Sequence, residues 1–497
     1  MKRSFTSLVC ASLVMNASFF AHAELWIDTK DVYLRADLQF LASQGVLRAP
    51  INTYPLRWQS VADALQQVDV AELPASTAQV YQRVLQHYQQ SLATQSGYLR
   101  ASVASDAAQF RRFGSDYREK SELTANTSYQ HQSFAAKLTV TAVSSADDQK
   151  KIRPDDSYVA WVLDEWTLSA GYLEQWWGPA MDSALHKSNN ARPMPAVMLT
   201  GYQAVKDQSP WLAWLGPWTF HSAISRFEQE RAVANPLLWS NRFSVVPWQP
   251  LEIGLSFTAQ MCGEGFACNL KTFTDLLTST TECPATNPNC LPEERSHTGN
   301  KMAGFDLHYR TQWWGQPFSL YYERTCEDSK GDSVLDISDC ANMAGGSTWF
   351  ALPSQQVQVF IEYSDTMVAC SEFRKNYNCF YEHSTYGSGS RYYRRSLGST
   401  YDSDARTWAF GAITRFADQS GLYTSLRNIK LNYDGIQGGN QWTPTIAKQE
   451  ILQLDVNYQQ PLWHGTIKLG ANTARIDFAD LQDKNTQTLY TSYQYGW

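Results

Sequence analysis

Leu489-Tyr490-Thr491-Ser492-Tyr493-Gln494-Tyr495-Gly496-Trp497 closes the sequence. Leu489, Thr491, Tyr493, Tyr495 and Trp497 occupy one side of a period-two pattern, and Tyr490, Ser492, Gln494 and Gly496 the other. Side chains of an extended chain alternate between two faces, so the segment is read as a strand with one aromatic and apolar face. The period recurs upstream. Leu251, Ile253, Leu255 and Phe257 alternate with Glu252, Gly254, Ser256 and Thr258; Leu452, Leu454, Val456 and Tyr458 alternate with Gln453, Asp455, Asn457 and Gln459; Val357, Val359, Ile361 and Tyr363 repeat the pattern. A soluble sandwich also alternates, and the last strand has the alternative of an edge strand in one, but sandwich strands run about 5 to 6 residues. These runs approach the roughly 9 to 11 residues of a tilted strand that crosses a bilayer. The expectation is an all-β transmembrane barrel.

The N-terminus agrees. Met1-Lys2-Arg3 precedes an apolar stretch from Phe5 to Phe20 and then Ala21-His22-Ala23, the pattern of a secretory signal with an A-x-A cleavage site. The chain has 497 residues, formal charge −7 and 13% aromatics, including 18 Trp and 26 Tyr. Beyond the leader no stretch approaches the ~18 apolar residues of a membrane helix. No basic excess suits nucleic acid. A closing strand that ends on an aromatic residue resembles the terminal strand of bacterial outer-membrane barrels, which the insertion machinery recognises. Residues 1–23 are therefore read as signal peptide, 24–96 as a helical bundle facing the periplasm and 97–497 as the barrel, in the outer membrane of a Gram-negative bacterium.

Between Asp28 and Leu92 the period is helical. Val32, Leu38, Leu41 and Val46 follow Asp31 and end near Gly45; Ser60 is placed as the cap of a second helix through Val61, Ala64, Leu65 and Val68; a third starts near Ser76 and Thr77 and aligns Val80, Tyr81, Val84, Leu85, Tyr88 and Leu92. From Gly97 onward, strand-like runs and turn residues give about eighteen antiparallel strands. If helices and C-terminus share one side, short turns alternate with long connections. Short turns are expected at Asp164-Glu165, Trp314-Gly315-Gln316, Pro353-Ser354, Ala417 to Ser420 and Gln459 to Pro461. Long connections are expected at Gly178 to Pro195, Cys262 to Lys301, Cys326 to Gly346, Asp365 to Asp404 and Tyr433 to Lys448, with a strand near Thr348 to Leu352 placed to keep the parity.

Cys10 lies in the leader, and the other eight cysteines fall in the long connections as Cys262 and Cys268, Cys283 and Cys290, Cys326 and Cys340, Cys370 and Cys379. Each pair encloses a turn-rich stretch, which favours local disulfides among about 105 possible connectivities. No C-x-x-C and no His at zinc-ligand spacing accompanies them, so no metal and no cofactor is expected.

Several segments resemble one family. Glu24-Leu25-Trp26-Ile27-Asp28 with Tyr33-Leu34-Arg35-Ala36-Asp37, Trp176-Trp177-Gly178-Pro179 with Asp182-Ser183, Ser188-Asn189-Asn190-Ala191-Arg192-Pro193, Tyr363-Ser364-Asp365-Thr366, Tyr381-Glu382-His383 and the closing strand are similar to the Wzi family of capsule-assembly outer-membrane proteins. The resemblance spans essentially the whole chain after the leader. It implies an eighteen-stranded barrel with a periplasmic helical bundle, acting as a lectin that holds capsular polysaccharide, or another exopolysaccharide, on the cell surface.

Sugar rings pack their C–H faces on aromatics, and their hydroxyls take amide, carboxylate and guanidinium partners. The connection around Trp176, Trp177, Asp182, Asn189, Asn190 and Arg192 supplies such groups. So does the one carrying Tyr381, Arg391, Tyr392, Tyr393, Arg394 and Arg395, whose charge suits an acidic polymer. Trp442 adds one in a further connection. The alternatives are structural: Trp and Tyr at strand ends form the interfacial girdle of any barrel, Arg lines barrel interiors, and Asn189, Asn190 and Arg192 also suit a turn that packs into the lumen and closes it. His186, His297 and His383 fall in long connections, but no G-x-S-x-G accompanies them and no paired carboxylates can be located, so no enzyme is expected. The competing function is a porin, since eighteen strands enclose a lumen wide enough for small solutes unless loops or helices block it. Expected partners are polysaccharide, outer-membrane lipid and the barrel-insertion machinery, without nucleic acid, and the protein is read as a monomer.

Overall fold

The computed structural model describes residues 23–497 apart from 67, 145, 147, 205–212, 279–298, 328–338, 353, 370–376 and 437–446. The leader, Cys283, Cys290, Cys370 and Trp442 lie outside the described residues.

Eighteen antiparallel strands close into a barrel. They are β1 Gln95–Ala104, β2 Ser121–His131, β3 Phe134–Val143, β4 Ile152–Arg153 with Tyr158–Leu163, β5 Trp166–Gly171, β6 Ala196–Gln203, β7 Trp218–Arg226, β8 Leu237–Trp248 and β9 Leu251–Met261. Then follow β10 Asn300–Trp313, β11 Gln316–Cys326, β12 Cys340–Leu352, β13 Gln355–Asp365, β14 Ala405–Phe416, β15 Gly421–Leu431, β16 Gln449–Leu462, β17 Gly465–Phe478 and β18 Lys484–Gly496. Both pieces of β4 pair with β3. They are parted at Pro154, which has no N–H to give to the ladder. β18 closes on β1, with Tyr490 opposite Ala104 and Gly496 opposite Tyr98. Gly97 and Trp497 exchange backbone hydrogen bonds of 3.1 and 3.0 Å. A Cβ on Gly97 would lie 2.5 Å from the Trp497 ring, so this seam needs glycine.

The faces are inverted relative to a soluble protein. On β9 Leu255 is 53% exposed while Glu252 is fully buried, and Leu320, Leu426, Leu452 and Leu489 also point outward. Inward stand Arg242, Asp306, His308, Arg310, Glu323 and Glu362. An apolar outer band over a polar interior is the pattern of a membrane barrel. No helix among the described residues is long and apolar enough to cross a membrane.

Connections alternate between short turns and longer loops as parity requires, except that residues 204–217 join β6 to β7 on the short-turn side. Five of the short turns carry a left-handed residue, Gln132, Asp164, Trp314, Gln419 and Trp463, as tight hairpin turns favour. The turn expected at Gln459 to Pro461 lies at Trp463-His464, because β16 pairs through Leu462 with Gly465. β12 starts at Cys340, where Cys326 is its cross-strand partner, rather than after Gly346. Disulfides join Cys262 to Cys268 and Cys326 to Cys340. Cys379 is disulfide-bonded as well.

The helices are α1 Val32–Ser43, α2 Trp58–Leu65 and α3 Ala75–Ser91. Asp31 caps α1, accepting from the N–H groups of Tyr33 and Leu34 at 3.0 and 2.9 Å. Ser60 does not cap α2; it lies inside the helix and donates to the Arg57 carbonyl at 2.8 Å. β1 begins at Gln95, two residues ahead of the expected boundary. Every residue of α1 is buried, since the helix sits within the barrel. Its Tyr33, Phe40 and Leu41 share one core with the inward Trp349, Phe360, Ile413 and Tyr423 of the wall. Arg83 of α3 holds Asp37 of α1 bidentately at 2.7 and 2.9 Å and also donates to Gln356 of β13. Bundle and barrel are thus continuous in packing.

Candidate functional site

Three inward carboxylates organise what fills the lumen. Glu252 of β9 accepts from the N–H groups of Ile51 and Asn52 at 3.1 and 3.0 Å and pairs with Arg310 at 2.8 Å. Glu323 of β11 accepts from Leu185 and His186 at 2.8 and 3.1 Å. Glu362 of β13 accepts from Met181 and Asp182 at 2.7 and 2.9 Å, and from the Tyr321 hydroxyl at 2.8 Å. A carboxylate accepting two backbone donors is a strong, directional clamp. The connection between β5 and β6 is thereby folded into the barrel rather than away from it.

This decides where the sequence candidates stand. Trp176 and Trp177 are fully buried. They form a two-residue ladder with Tyr54 and Thr53, and Trp177 stacks on His186 at 5.7 Å. Asp182 accepts from Arg427 Nε at 2.6 Å and from the Tyr401 hydroxyl. Asn189 donates to the Arg112 carbonyl at 3.0 Å. Arg192 grips Asp155 bidentately at 2.8 and 2.7 Å and also binds Asp148. Tyr381 is fully buried and receives the Ser399 N–H at 2.8 Å. Arg391 is held bidentately by Asp402 at 2.8 and 2.6 Å, with Glu382 at 2.8 Å. Tyr392 packs on Phe227 with centroids 6.4 Å apart. These side chains already have protein partners, and all but the half-buried Arg192 are buried. Burial, with Lys187 next, pushes His186 down to about 3, and burial alone lowers Lys187 to about 7.

Asn190, Tyr393, Arg394 and Arg395 are brought together elsewhere. They line a cleft of ≈ 970 Å³ on the long-connection side. Opposite them stand Gln453, Asp455, Asn472, Lys484 and Tyr490 from β16, β17 and β18. Arg395 donates to Asn190 Oδ1 at 3.2 Å and to the Ala108 carbonyl at 2.6 Å. Tyr393 and Arg394 both adopt left-handed backbone conformations, and Arg394 projects into solvent.

The β1–β2 connection, residues 105–120, supplies the rest, and the sequence reading did not single it out. Phe110 packs on Tyr401 at 5.2 Å and Tyr117 on Tyr490 at 4.6 Å, all four on the cleft wall. Beneath them Arg118 donates to the carbonyls of Asn189 and Ala191 at 3.0 and 3.2 Å, and Arg111 to that of Asn189 at 3.1 Å. Burial, together with Arg111 and Arg395, holds the Arg118 guanidinium well below its usual range. The run Gln109-Phe110-Arg111-Arg112-Phe113 was the signal available, basic and aromatic between two period-two segments.

The capsule assembly protein Wzi family model matches residues 92–490. The chain belongs to the Wzi family. Its structure is similar to that of Wzi of Escherichia coli, an outer-membrane protein involved in group 1 capsule assembly and described as a carbohydrate-binding β-barrel. That likeness has a TM-score of 0.78 at 20% identity and covers 94% of this chain and 98% of that one. A 55.8 kDa protein of the cps region of Klebsiella pneumoniae is 27% identical over 304 residues, 60% of this chain. The match spans 57% of that protein's own length. As a Wzi-family barrel the protein is an outer-membrane β-barrel. The segments that carry the family likeness, Trp176-Trp177 and Ser188 to Pro193, belong largely to the clamped interior. The open cleft is built mostly from other parts of the chain.

Proposed function

We propose that this Wzi-family protein is an outer-membrane lectin that binds capsular or related extracellular polysaccharide and anchors it to the cell surface. The carrying observation is the ≈ 970 Å³ cleft, whose wall mixes aromatic rings, carboxamides and charged groups. That is the donor set a chain of sugar rings calls for. The Arg-rich side formed by Arg394 and Arg395 favours an acidic polymer. Among the residues singled out in the sequence, Asn190, Tyr393, Arg394 and Arg395 are the contacts we assign; Trp176, Trp177, Asp182, Asn189 and Arg391 support the wall from inside. The long connections face outward and the helices face the periplasm. The protein acts by binding, as a monomer inserted by the barrel-assembly machinery. The Glu-clamped interior favours this reading over a porin.

The test is the triple variant Tyr393→Ala, Arg394→Ala, Arg395→Ala, assayed for capsule retained on cells against capsule in the medium. Folded barrel is quantified in parallel by its heat-modifiable gel mobility. Retention should fall while the folded barrel is unchanged. Unchanged retention, or purified wild type that fails to bind purified capsule, would overturn the assignment.

A further inference from the structure

Below the cleft, on the short-turn side, the helices and the wall of β16, β17, β18 and β1 enclose a second cavity of ≈ 320 Å³. The inward residues of three strands lead from one space to the other without a break. On β18, Thr486, Thr488 and Tyr490 line the cleft, and Ser492 and Gln494 line the inner cavity. On β16, Gln453 and Asp455 line the cleft and Gln459 the cavity, with Asn457 between them. On β17 the succession is Asn472, Gly470, Lys468 and Thr466, and a Cβ on Gly470 would overlap the Tyr490 ring. A period of two keeps all of these on the lumen face, so the cleft and the cavity are two ends of one polar groove. Among the described residues Asp116 alone lines both.

The Asp116 side chain is 5% exposed and is held from three strands. Its Oδ1 accepts from Lys468 Nζ of β17 at 2.5 Å and its Oδ2 from Asn457 Nδ2 of β16 at 2.7 Å. Arg100 of β1 stands 3.9 Å from Oδ1 and donates to the Asp116 carbonyl. Neither Lys468 nor Arg100 pairs with any other carboxylate among the described residues. The flanks of the segment are pinned separately, since Phe113 packs under Arg35 and Arg118 is bonded to the carbonyls of Asn189 and Ala191. Movement of residues 115–117 therefore leaves the rest of the connection in place. Ser115 and Tyr117 also line the cleft, so the segment is within reach from the outer side.

We propose that Asp116 latches shut a passage for small anions, which runs along β16, β17 and β18 from the cleft to the short-turn side. Releasing the carboxylate joins the two spaces. It also leaves Lys468 and Arg100 facing the joined space without a counter-charge, and Lys and Arg lining a narrow pore select anions. Low-dielectric walls strengthen that field. The passage runs beside the Glu-clamped interior, so the β5–β6 connection and α1 keep their places when it opens.

The experiment is conductance of the purified full barrel in planar bilayers. Wild type should stay shut, and Asp116→Ala should conduct, with a reversal potential in a KCl gradient on the chloride side. Adding Lys468→Gln to Asp116→Ala should shift that potential toward zero. Adding Ser492→Cys instead should make the current fall when a small anionic thiol reagent is applied, because Ser492 lines the inner half of the path. Heat-modifiable mobility confirms that each variant is folded, and Asp116→Asn carries the test if Asp116→Ala fails to fold. A folded variant at position 116 that stays silent overturns the proposal, as does wild type that conducts steadily. A current without anion preference, or one that the reagent leaves unchanged, overturns it too by placing the path elsewhere. Conductance is read without polysaccharide, so the outcome is independent of the lectin assignment.

Discussion

The guanidinium carbon of Arg35 lies 4.2 Å from the centroid of the Phe113 ring. Arg35 comes from α1 and Phe113 from the β1–β2 connection, with Tyr54 and Trp176 placing further rings at 5.3 and 5.5 Å. Arg35 also donates to the Gly178 carbonyl at 2.9 Å. One buried cation therefore joins the helix to three separate connections, at the point where the lumen is filled.

The two residues should be energetically coupled. A desolvated cation–π contact is worth about 2 kcal/mol. Phe113→Ala alone should cost about 3–5 kcal/mol as a large-to-small change in a packed site. In a double-mutant cycle with Arg35→Met, the combined loss should fall short of the sum by about 1–2 kcal/mol. Chemical unfolding of the detergent-solubilised barrel measures it, and strict additivity would show that the contact carries nothing.

Removing the clamps should open the barrel. Glu323→Ala with Glu362→Ala releases the Leu185, His186, Met181 and Asp182 N–H groups. Each buried donor left unpaired costs about 1–3 kcal/mol, enough in sum to let the β5–β6 connection leave the lumen. Planar bilayers should record steady ion conductance from the double variant and silence from the wild type. A silent double variant would mean that α1 closes the barrel unaided.

Lys187 should make stability depend on pH. Its ammonium titrates near 7 in the folded protein against 10.5 for an ordinary lysine. Between those values the unfolded chain holds a proton that the folded chain lacks, so stability rises with pH from about 7 to about 10.5 and is lowest below 7. Lys187→Met should remove this rise and stabilise the protein at pH 6.5 by on the order of a few kcal/mol. Unfolding midpoints at pH 6.5 and 9.5 report it; equal slopes in both proteins would contradict it.

Buried and open candidates should separate by phenotype. Trp176→Ala should cost about 3–5 kcal/mol and lower the yield of folded barrel, because the ring is enclosed by Phe113 and Arg35. Tyr393→Ala should leave the yield unchanged and weaken polysaccharide retention alone. Comparing folded yield with retention for the two variants distinguishes wall from contact surface.

Period two determined the barrel. The alternation of Leu452 to Gln459 and of Leu489 to Trp497 is a local property, since a strand buries or exposes every second residue wherever it lies. Asp31 as a helix cap and the pairing of Cys326 with Cys340 were readable for the same reason, each involving neighbours or a short closed loop. What only the tertiary structure decided is which connection folds inward. Glu252, Glu323 and Glu362 look like any polar residue on a lumen face until the backbone donors of distant segments arrive at them. The Trp176-Trp177 pair has the composition of a sugar platform, yet its burial against Tyr54, Phe113 and His186 depends on contacts more than a hundred residues away in the chain for Tyr54 and close by for His186. The cleft itself is assembled from residues 105–120, the 366–404 connection and β16 to β18, which no sequence period relates. Strand pattern is encoded by near neighbours; a lumen and its rim are made by segments that meet only when the barrel closes.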